Sequence, residues 1–213
     1  ITCYCRVCKS EDQKDNRLRC SAMISISGHN YVIDSGPDFR QQMLRENVQD
    51  IRAILFTHEH KDHLAGLDDV RAFNYKHHKD MDVFCDLNVQ KALNREFPYI
   101  FSEQKYPGVP RINIHIIEKS HPFRIEDNTF IPIEVMHHKL HVMGFRLGGL
   151  TYITDAKSIA PEEVDKIRGT EVLVLNALRI EEHISHFNLK QALDFIDIIQ
   201  PKRAYLTHIS HYL

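Results

Sequence analysis

Tryptophan is absent from this chain of 213 residues, and glycine and proline number only eight each. There are no internal repeats and no low-complexity tracts, which removes solenoids and disordered arrays. No run of 18 apolar residues occurs, so no segment is expected to span a bilayer as a helix. Charge of one sign is also missing. Lys and Arg total 27 against 29 Asp and Glu, a formal net charge of -2. Such a balance gives no long-range pull toward nucleic acid or an anionic membrane. No charged-then-apolar leader opens the chain. Its first residue is isoleucine, which leaves open what precedes it. Cysteines number five, an odd count, and Cys3, Cys5 and Cys8 crowd into "CYCRVC". Thiols spaced this closely read as reduced and metal-binding rather than as a disulfide framework. A cytoplasmic setting is the expectation that follows.

What is abundant is histidine, at 15, against a hydrophobic share of 43% that can bury a sizeable core. "SAMISI" (21–26) and "NYVID" (30–34) read as a hairpin across Ser27-Gly28-His29. "DFRQQMLREN" reads as a helix with Asp38 as N-cap. "AILFTH" (53–58) is a buried strand, and "HLAGLDDVRAFNY" has helical spacing. "DVFCD" reads as a strand and "LNVQKALNREF" as a helix, followed by a Pro- and Gly-bearing loop over 98–111. Further strands are expected at "INIHII", "FIPIEVMH", "MGFRLG", "LTYITD", "EVLVLNA" and "RAYLTH". Helices are expected at "PEEVDKIR" and "NLKQALDFIDII". This order suits an α/β sandwich of two mixed sheets with helices outside, in one domain.

"FTHEHKDHLAG" (56–66) places His58, His60, Asp62 and His63 within six positions. Imidazole and carboxylate are ordinary metal ligands at neutral pH. In an extended chain His58 and His60 point the same way. Asp62 and His63 are adjacent and diverge, which suits a second metal. A solvated loop with Asp62 as a helix cap explains one residue and leaves three histidines without a reason. More ligands must come from distant segments, and other strand ends offer His137, His138, Asp155 and His208.

"THEHKDH" resembles the T-H-x-H-x-D-H signature of the metallo-β-lactamase superfamily of binuclear hydrolases, and the remaining motifs follow in that family's order. "YVIDSG" resembles the first motif, with Asp34 supporting the ligands from behind. "HHKLHVMGFR" resembles the segment supplying the third histidine, "YITD" the strand whose aspartate bridges two metals, and "LTHISH" the last ligand strand. Within the superfamily the chain is similar to the cyclic-phosphate phosphodiesterases of phosphonate breakdown. The resemblance implies a metallo-β-lactamase-like αββα sandwich over 1–213, one domain without its outermost N- and C-terminal strands. It implies a first metal on His58, His60 and His137, a second on Asp62, His63 and His208, and Asp155 as the bridge. For the third histidine His137 is taken, with His138 and His141 close by in sequence. Nitrogen and oxygen donors suit Zn²⁺ or Mn²⁺ without choosing between them. It further implies a structural zinc on Cys3, Cys5, Cys8 and His211, a closed tetrahedral set with no open position.

For function, the resemblance implies hydrolysis of a small cyclic phosphate or nucleotide-like phosphodiester, with metal-activated water as nucleophile. "HISHFNL" offers His183 and His186 before a helix, and His186 matches the family's general acid. A tRNA 3′-end endonuclease-like nuclease is the enzymatic alternative. The absence of a basic, Gly-rich arm and of net positive charge disfavours it, so nucleic acid is not an expected partner. A non-catalytic metal-containing accessory protein on the same fold is the other alternative. The expected partner is a small phosphodiester, with no membrane, and a homodimer remains open. His29, His77, His78, His115 and His121 are read as surface or satisfied residues.

Overall fold

The computed structural model describes residues 3–213. The chain divides into two compact units, Arg19–His121 and a second formed by Ile1–Leu18 with Pro122–Leu213.

Arg19–His121 is built on one five-stranded sheet in chain order β1-β2-β3-β4-β5. The strands are β1 (Ala22–Ile26), β2 (His29–Ile33), β3 (Ala53–Leu55), β4 (Met81–Cys85) and β5 (Ile112–Ile116). The hairpin β1–β2 is antiparallel, and its two-residue turn has Ser27 and Gly28 at φ of 53° and 78°. Two consecutive positive φ values match the twist of the flanking strands, and Gly28 adopts its value without steric cost. The remaining pairs are parallel. Helices α1 (Phe39–Arg45), α2 (Lys61–Leu64), α3 (Arg71–His77), α4 (Leu87–Glu96) and α5 (Pro98–Phe101) connect them. Val32, Ile54 and Val83 from three adjacent strands share a core with Phe39, Leu64, Leu67 and Leu93. Each such side chain contributes about 1.5–3 kcal/mol by leaving water.

Two local expectations are corrected here. Asp38 makes no cap bond; its carboxylate instead accepts the Arg19 backbone N–H at 2.7 Å. "HLAGLDDVRAFNY" is not one helix. It breaks into α2, a 3-10 turn at Leu67–Val70, and α3. The break falls at Gly66, where a Cβ would lie 2.1 Å from the Gly36 carbonyl oxygen. A Cβ on Gly36 would in turn lie 2.1 Å from the Asp62 carbonyl oxygen. The Gly66 N–H donates to Ser35 O at 2.8 Å. Two glycines therefore let the loop after β2 lie directly on the backbone that carries Asp62.

The second unit has a seven-stranded sheet. Its path is β10-β7-β8-β9-β11-β12, with β6 on β7. Its strands are β6 (Phe123–Ile125), β7 (Asn128–His137), β8 (Leu140–Leu147), β9 (Leu150–Ile153), β10 (Ser158–Ile159), β11 (Val172–Asn176) and β12 (Arg203–Thr207). Pairing is antiparallel from β6 and β10 through β9, then parallel for β9–β11 and β11–β12. Helices α6 (Pro161–Ile167) and α7 (Leu189–Ile199) supply the crossovers. α6 begins with Pro161 at a position where no N–H is needed. α7 begins with a full capping box between Asn188 and Gln191. Ile133, Val142, Ile153, Leu173 and Leu175 pack with Ile167, Phe195 and Ile199 into one core. β6 and the two-residue β10 have no counterpart in the sequence reading, because neither is long enough to show a period. No helix among the described residues is long and apolar enough to cross a membrane.

Candidate metal centre

In Arg19–His121 the donors gather where parallel strands end. His58 follows β3 and is buried, as is His63, the third residue of α2. Asp34, one residue past β2, is fully buried with φ of 64°. A non-glycine residue at positive φ is uncommon, and such backbone persists where surrounding bonds enforce it. Here three bonds do so. Asp34 Oδ1 accepts the Thr57 N–H at 2.8 Å, and Oδ2 accepts the Thr57 hydroxyl at 2.8 Å and His63 Nδ1–H at 2.7 Å.

This network fixes tautomers. With its proton committed to Asp34, Thr57 Oγ1 accepts from His58 Nδ1, 3.0 Å away. His58 and His63 therefore both carry the hydrogen on Nδ1 and present the Nε2 lone pair. His58 Nε2 lies 3.0 Å from His60 Nδ1, and the His58 and His63 ring centroids are 4.2 Å apart. Asp62 Oδ2 lies 3.7 Å from His63 Nε2, so the adjacent pair does converge. Such a set of unprotonated nitrogens and a carboxylate fits a divalent cation. Thr57 was missed as a functional residue, although it stands inside the "THEH" string.

In the second unit Asp155 is the centre. It lies two residues past β9, is buried, and has φ of 57°. Its Oδ1 is 3.3 Å from His208 Nε2, and its Oδ2 is 3.9 Å from His186 Nδ1. His137, Asp155 and His186 bring donor atoms within 4.8 Å of one another. The two carboxylate oxygens thus face different imidazoles, an arrangement open to bridging. His137 Nδ1–H is shared between the Asp155 and Ser185 carbonyls at 3.1 and 2.8 Å, which leaves Nε2 as its lone-pair nitrogen. His138 is exposed with φ of 57°. His141 bonds Glu134 at 2.8 Å. Of the three candidates, only His137 groups with Asp155 among the described residues. Asn176 was also missed. Its side chain bonds both the N–H and the C=O of Ala156 at 2.7 and 3.0 Å, fixing the backbone beside Asp155.

His186 is buried and stacks 4.8 Å from His208. Burial drives its pKa to about 3; Asp155 opposes this, and His208, His137 and His183 add to it.

The same unit holds the second cluster. Cys3, Cys5, Cys8 and His211 bring their donor atoms within 4.8 Å. His211 Nδ1 lies 3.4 Å from Cys5 Sγ and 3.2 Å from Cys8 Sγ. Backbone N–H groups of Cys5 and Cys8 point at the sulfurs of Cys3 and Cys5, each at 3.4 Å. The Cys8 N–H is the main cause that pulls the Cys5 thiol down to about 6. Interaction with Cys5 pushes Cys8 up to about 11. Thiols that converge on one imidazole match a closed Cys₃His zinc set.

Residues 29–209 match the family model of the beta-lactamase superfamily domain. The chain belongs to this superfamily, and its fold is the metallo-β-lactamase fold, two mixed sheets with helices. A solved structure described as a new diphosphatase from the PhnP family is 34% identical, with a TM-score of 0.92 over 100% of this chain and 82% of that one. An octanoyltransferase of Porphyromonas gingivalis is 37% identical over 214 residues; the chain spans 43% of that protein's length. The short form of human tRNase Z shares the fold at 17% identity, with a TM-score of 0.73 over 90% of this chain and 86% of that one.

Proposed function

We propose that the chain is a metal-dependent phosphodiesterase with a binuclear centre. The observation that supports this most is the tautomer control. His58, His63 and His137 each have Nδ1 engaged by a fixed acceptor, so each presents Nε2 to a cation. On the family resemblance, His58, His60 and His137 would hold one metal and Asp62, His63 and His208 the other, with Asp155 as the ligand common to both. Bound there, Zn²⁺ or Mn²⁺ would make hydroxide available at neutral pH and neutralise phosphoryl charge. Asp34 and Thr57 orient the imidazoles. Cys3, Cys5, Cys8 and His211 would hold a structural zinc.

His186 supplies the leaving group's proton. Burial lowers its pKa, and the negative charge of a bound phosphodiester favours the imidazolium that donates the proton.

The diphosphatase description of the 34%-identical structure agrees with phosphate ester chemistry. The octanoyltransferase name belongs to a protein of which this chain spans 43%. The nuclease alternative rests on fold likeness to tRNase Z. The balanced charge works against it.

Elemental analysis of protein purified without chelator, combined with a phosphodiester panel, tests the proposal. Three metals per chain and turnover of bis(p-nitrophenyl) phosphate with Mn²⁺ or Zn²⁺ are expected. No turnover of any diester with any divalent metal overturns it in favour of an accessory role. His186→Ala should keep normal melting and metal content. Turnover of an alkyl diester should fall by about 10²–10⁴-fold. p-Nitrophenolate leaves without a proton, so loss on that substrate should be much smaller. Equal losses on both would remove His186 as the acid.

A further inference from the structure

His211, the partner of the three thiols, stands three residues beyond His208, on a segment stitched into the metal centre by backbone bonds. Ala177 N–H donates to Thr207 O at 3.0 Å, Ser210 N–H to Leu178 O at 2.9 Å and Ile180 N–H to Tyr212 O at 3.2 Å. Leu178 N–H donates in turn to Phe187 O at 3.0 Å, and Phe187 N–H to Ala156 O at 2.7 Å. Paired backbone segments thus lead from His211 to the residues adjoining His186 and Asp155. His208 sits in the first of these segments at φ of 53°, its Nε2 3.3 Å from Asp155 Oδ1. What holds 207–212 in place therefore also holds a donor of the metal centre.

At the outer end that hold is the thiol cluster. A single atom, His211 Nδ1, lies 3.4 Å from Cys5 Sγ and 3.2 Å from Cys8 Sγ, so the two sulfurs flank it. Cys5 and Cys8 are three residues apart on a turn closed by the Lys9 N–H donating to Cys5 O at 3.1 Å. In a turn the Cα atoms of residues i and i+3 come within about 7 Å, which is the reach of a disulfide. Cys8 is exposed and Cys5 half-buried, whereas Cys85 is sealed in the core. A thiol bound to zinc is deprotonated, and the thiolate is the form that peroxides oxidise. Burial would protect a clamp that is only structural; this one offers a thiolate to solvent with a second beside it.

We propose that Cys5 and Cys8 are a peroxide-reactive pair, and that joining them unlatches 207–212 and weakens metal binding at the site that His208 serves. This rests on the zinc reading of the cluster. The Cys8 thiolate attacks one oxygen of hydrogen peroxide, the O–O bond breaks, hydroxide leaves and Cys8 becomes a sulfenic acid. The Cys5 thiolate then attacks the Cys8 sulfur, the S–S bond forms and a second hydroxide leaves. Two protons from water turn both hydroxides into water. Two electrons pass from the sulfurs to the peroxide, and zinc remains Zn²⁺. Only Cys3 and His211 are left to it, too few for a closed tetrahedral site, so it departs. A dithiol reverses the step.

The test exposes metal-loaded wild type to a small excess of hydrogen peroxide, with a chromophoric chelator reporting free zinc. One zinc released per chain and loss of two of the five thiols are expected, both reversed by dithiothreitol with added zinc. Trypsin cuts after Arg6, between the pair, so the disulfide is read by mass as two joined peptides, and their fragmentation places the bond on Cys5. Cys20→Ser should behave as wild type does. The metals that remain should be stripped at roughly 10-fold lower concentration of a calibrated chelator, read by elemental analysis and not by turnover. Thiols untouched by peroxide, or a bond to Cys3 or Cys20 in place of Cys5, overturn the reactive pair. Zinc release with unchanged retention of the remaining metals overturns the latch. A Cys5–Cys8 disulfide formed with no zinc released keeps the pair and removes the zinc reading of the cluster.

Discussion

The imidazole cluster at 58–63 and the thiol cluster at 3–8 look alike in sequence, donors spaced by one to three residues. They are built in opposite ways. His58 and His63 are buried, with His60 exposed and Asp62 half-buried beside them, and a buried carboxylate holds the two buried rings through Thr57 and directly. Around Cys3, Cys5 and Cys8 the chain is half-buried or exposed, with local N–H to sulfur bonds and one distant partner, His211. The first is organised by the sheet before any metal arrives. The second gains its tertiary hold from the donors themselves, so its metal would act as folding energy. A reactive centre needs its ligands aimed in advance, whereas a structural one can use the metal as the clamp.

The largest effect should come from the preorganised site. Asp62→Ala should reduce turnover by several orders of magnitude and shift stability by only about 0.5 kcal/mol, the worth of an acidic residue in a helix's first turn. Steady-state kinetics with denaturant melts check this; wild-type turnover would remove Asp62 from the metal set. Cys5→Ser should do the reverse. One metal per chain is lost and the melting temperature falls by about 2–4 °C for each kcal/mol of zinc binding surrendered. A chelator should lower the wild-type melt by more than that of the variant, which has already lost one of its metals. If Cys5→Ser abolishes turnover at unchanged melting, the contrast between the two clusters is false.

Asp34→Asn sharpens the comparison from inside the first cluster. Asparagine keeps the shape but loses the charge that holds His63 Nδ1–H, so metal affinity should weaken by roughly 10–100-fold. Competition with a calibrated chelator measures it. The smallest effect is a control carboxylate in the same sheet, Asp82. Burial alone would raise its pKa, but hydrogen bonds from His115, Arg52 and Asn113 outweigh it and hold the carboxyl below its usual value. Asp82→Asn should cost about 1–2 kcal/mol at pH 7 and leave turnover intact. Because the folded pKa is depressed, this stabilisation is complete above about pH 4, the unfolded value, and is lost as pH falls through the folded pKa. The gap between variant and wild type should therefore close in acid.

Much of the fold was legible because periodic segments announce themselves. "LNVQKALNREF" and "NLKQALDFIDII" became α4 and α7, and "EVLVLNA" became β11. The hairpin at 21–34 followed from its Ser-Gly turn. The expected helix from His63 to Tyr75 failed at Gly66, since its spacing is apolar throughout and nothing local reports that Gly36 O needs the room. His29, His77, His78, His115 and His121 were read as surface or satisfied residues, and His77, His115 and His121 do bond to Gln49, Asp82 and Glu118.

The sequence by itself determined the donor inventory, its order along the chain and the division into thiol and imidazole sets, because residue type fixes ligand chemistry. Tertiary structure decided which atoms are offered. His137 was separated from His138 by two carbonyls, of Asp155 and Ser185, that reach its Nδ1 from 18 and 48 residues away. Asp34, Asp155 and His208 were each turned to positive φ just past a strand, at 64°, 57° and 53°. Aspartate and histidine tolerate that conformation better than most side chains, but their local sequence does not select it. It is imposed by parallel ladders and side-chain bonds between segments far apart in the chain, and those form only when the sheets do.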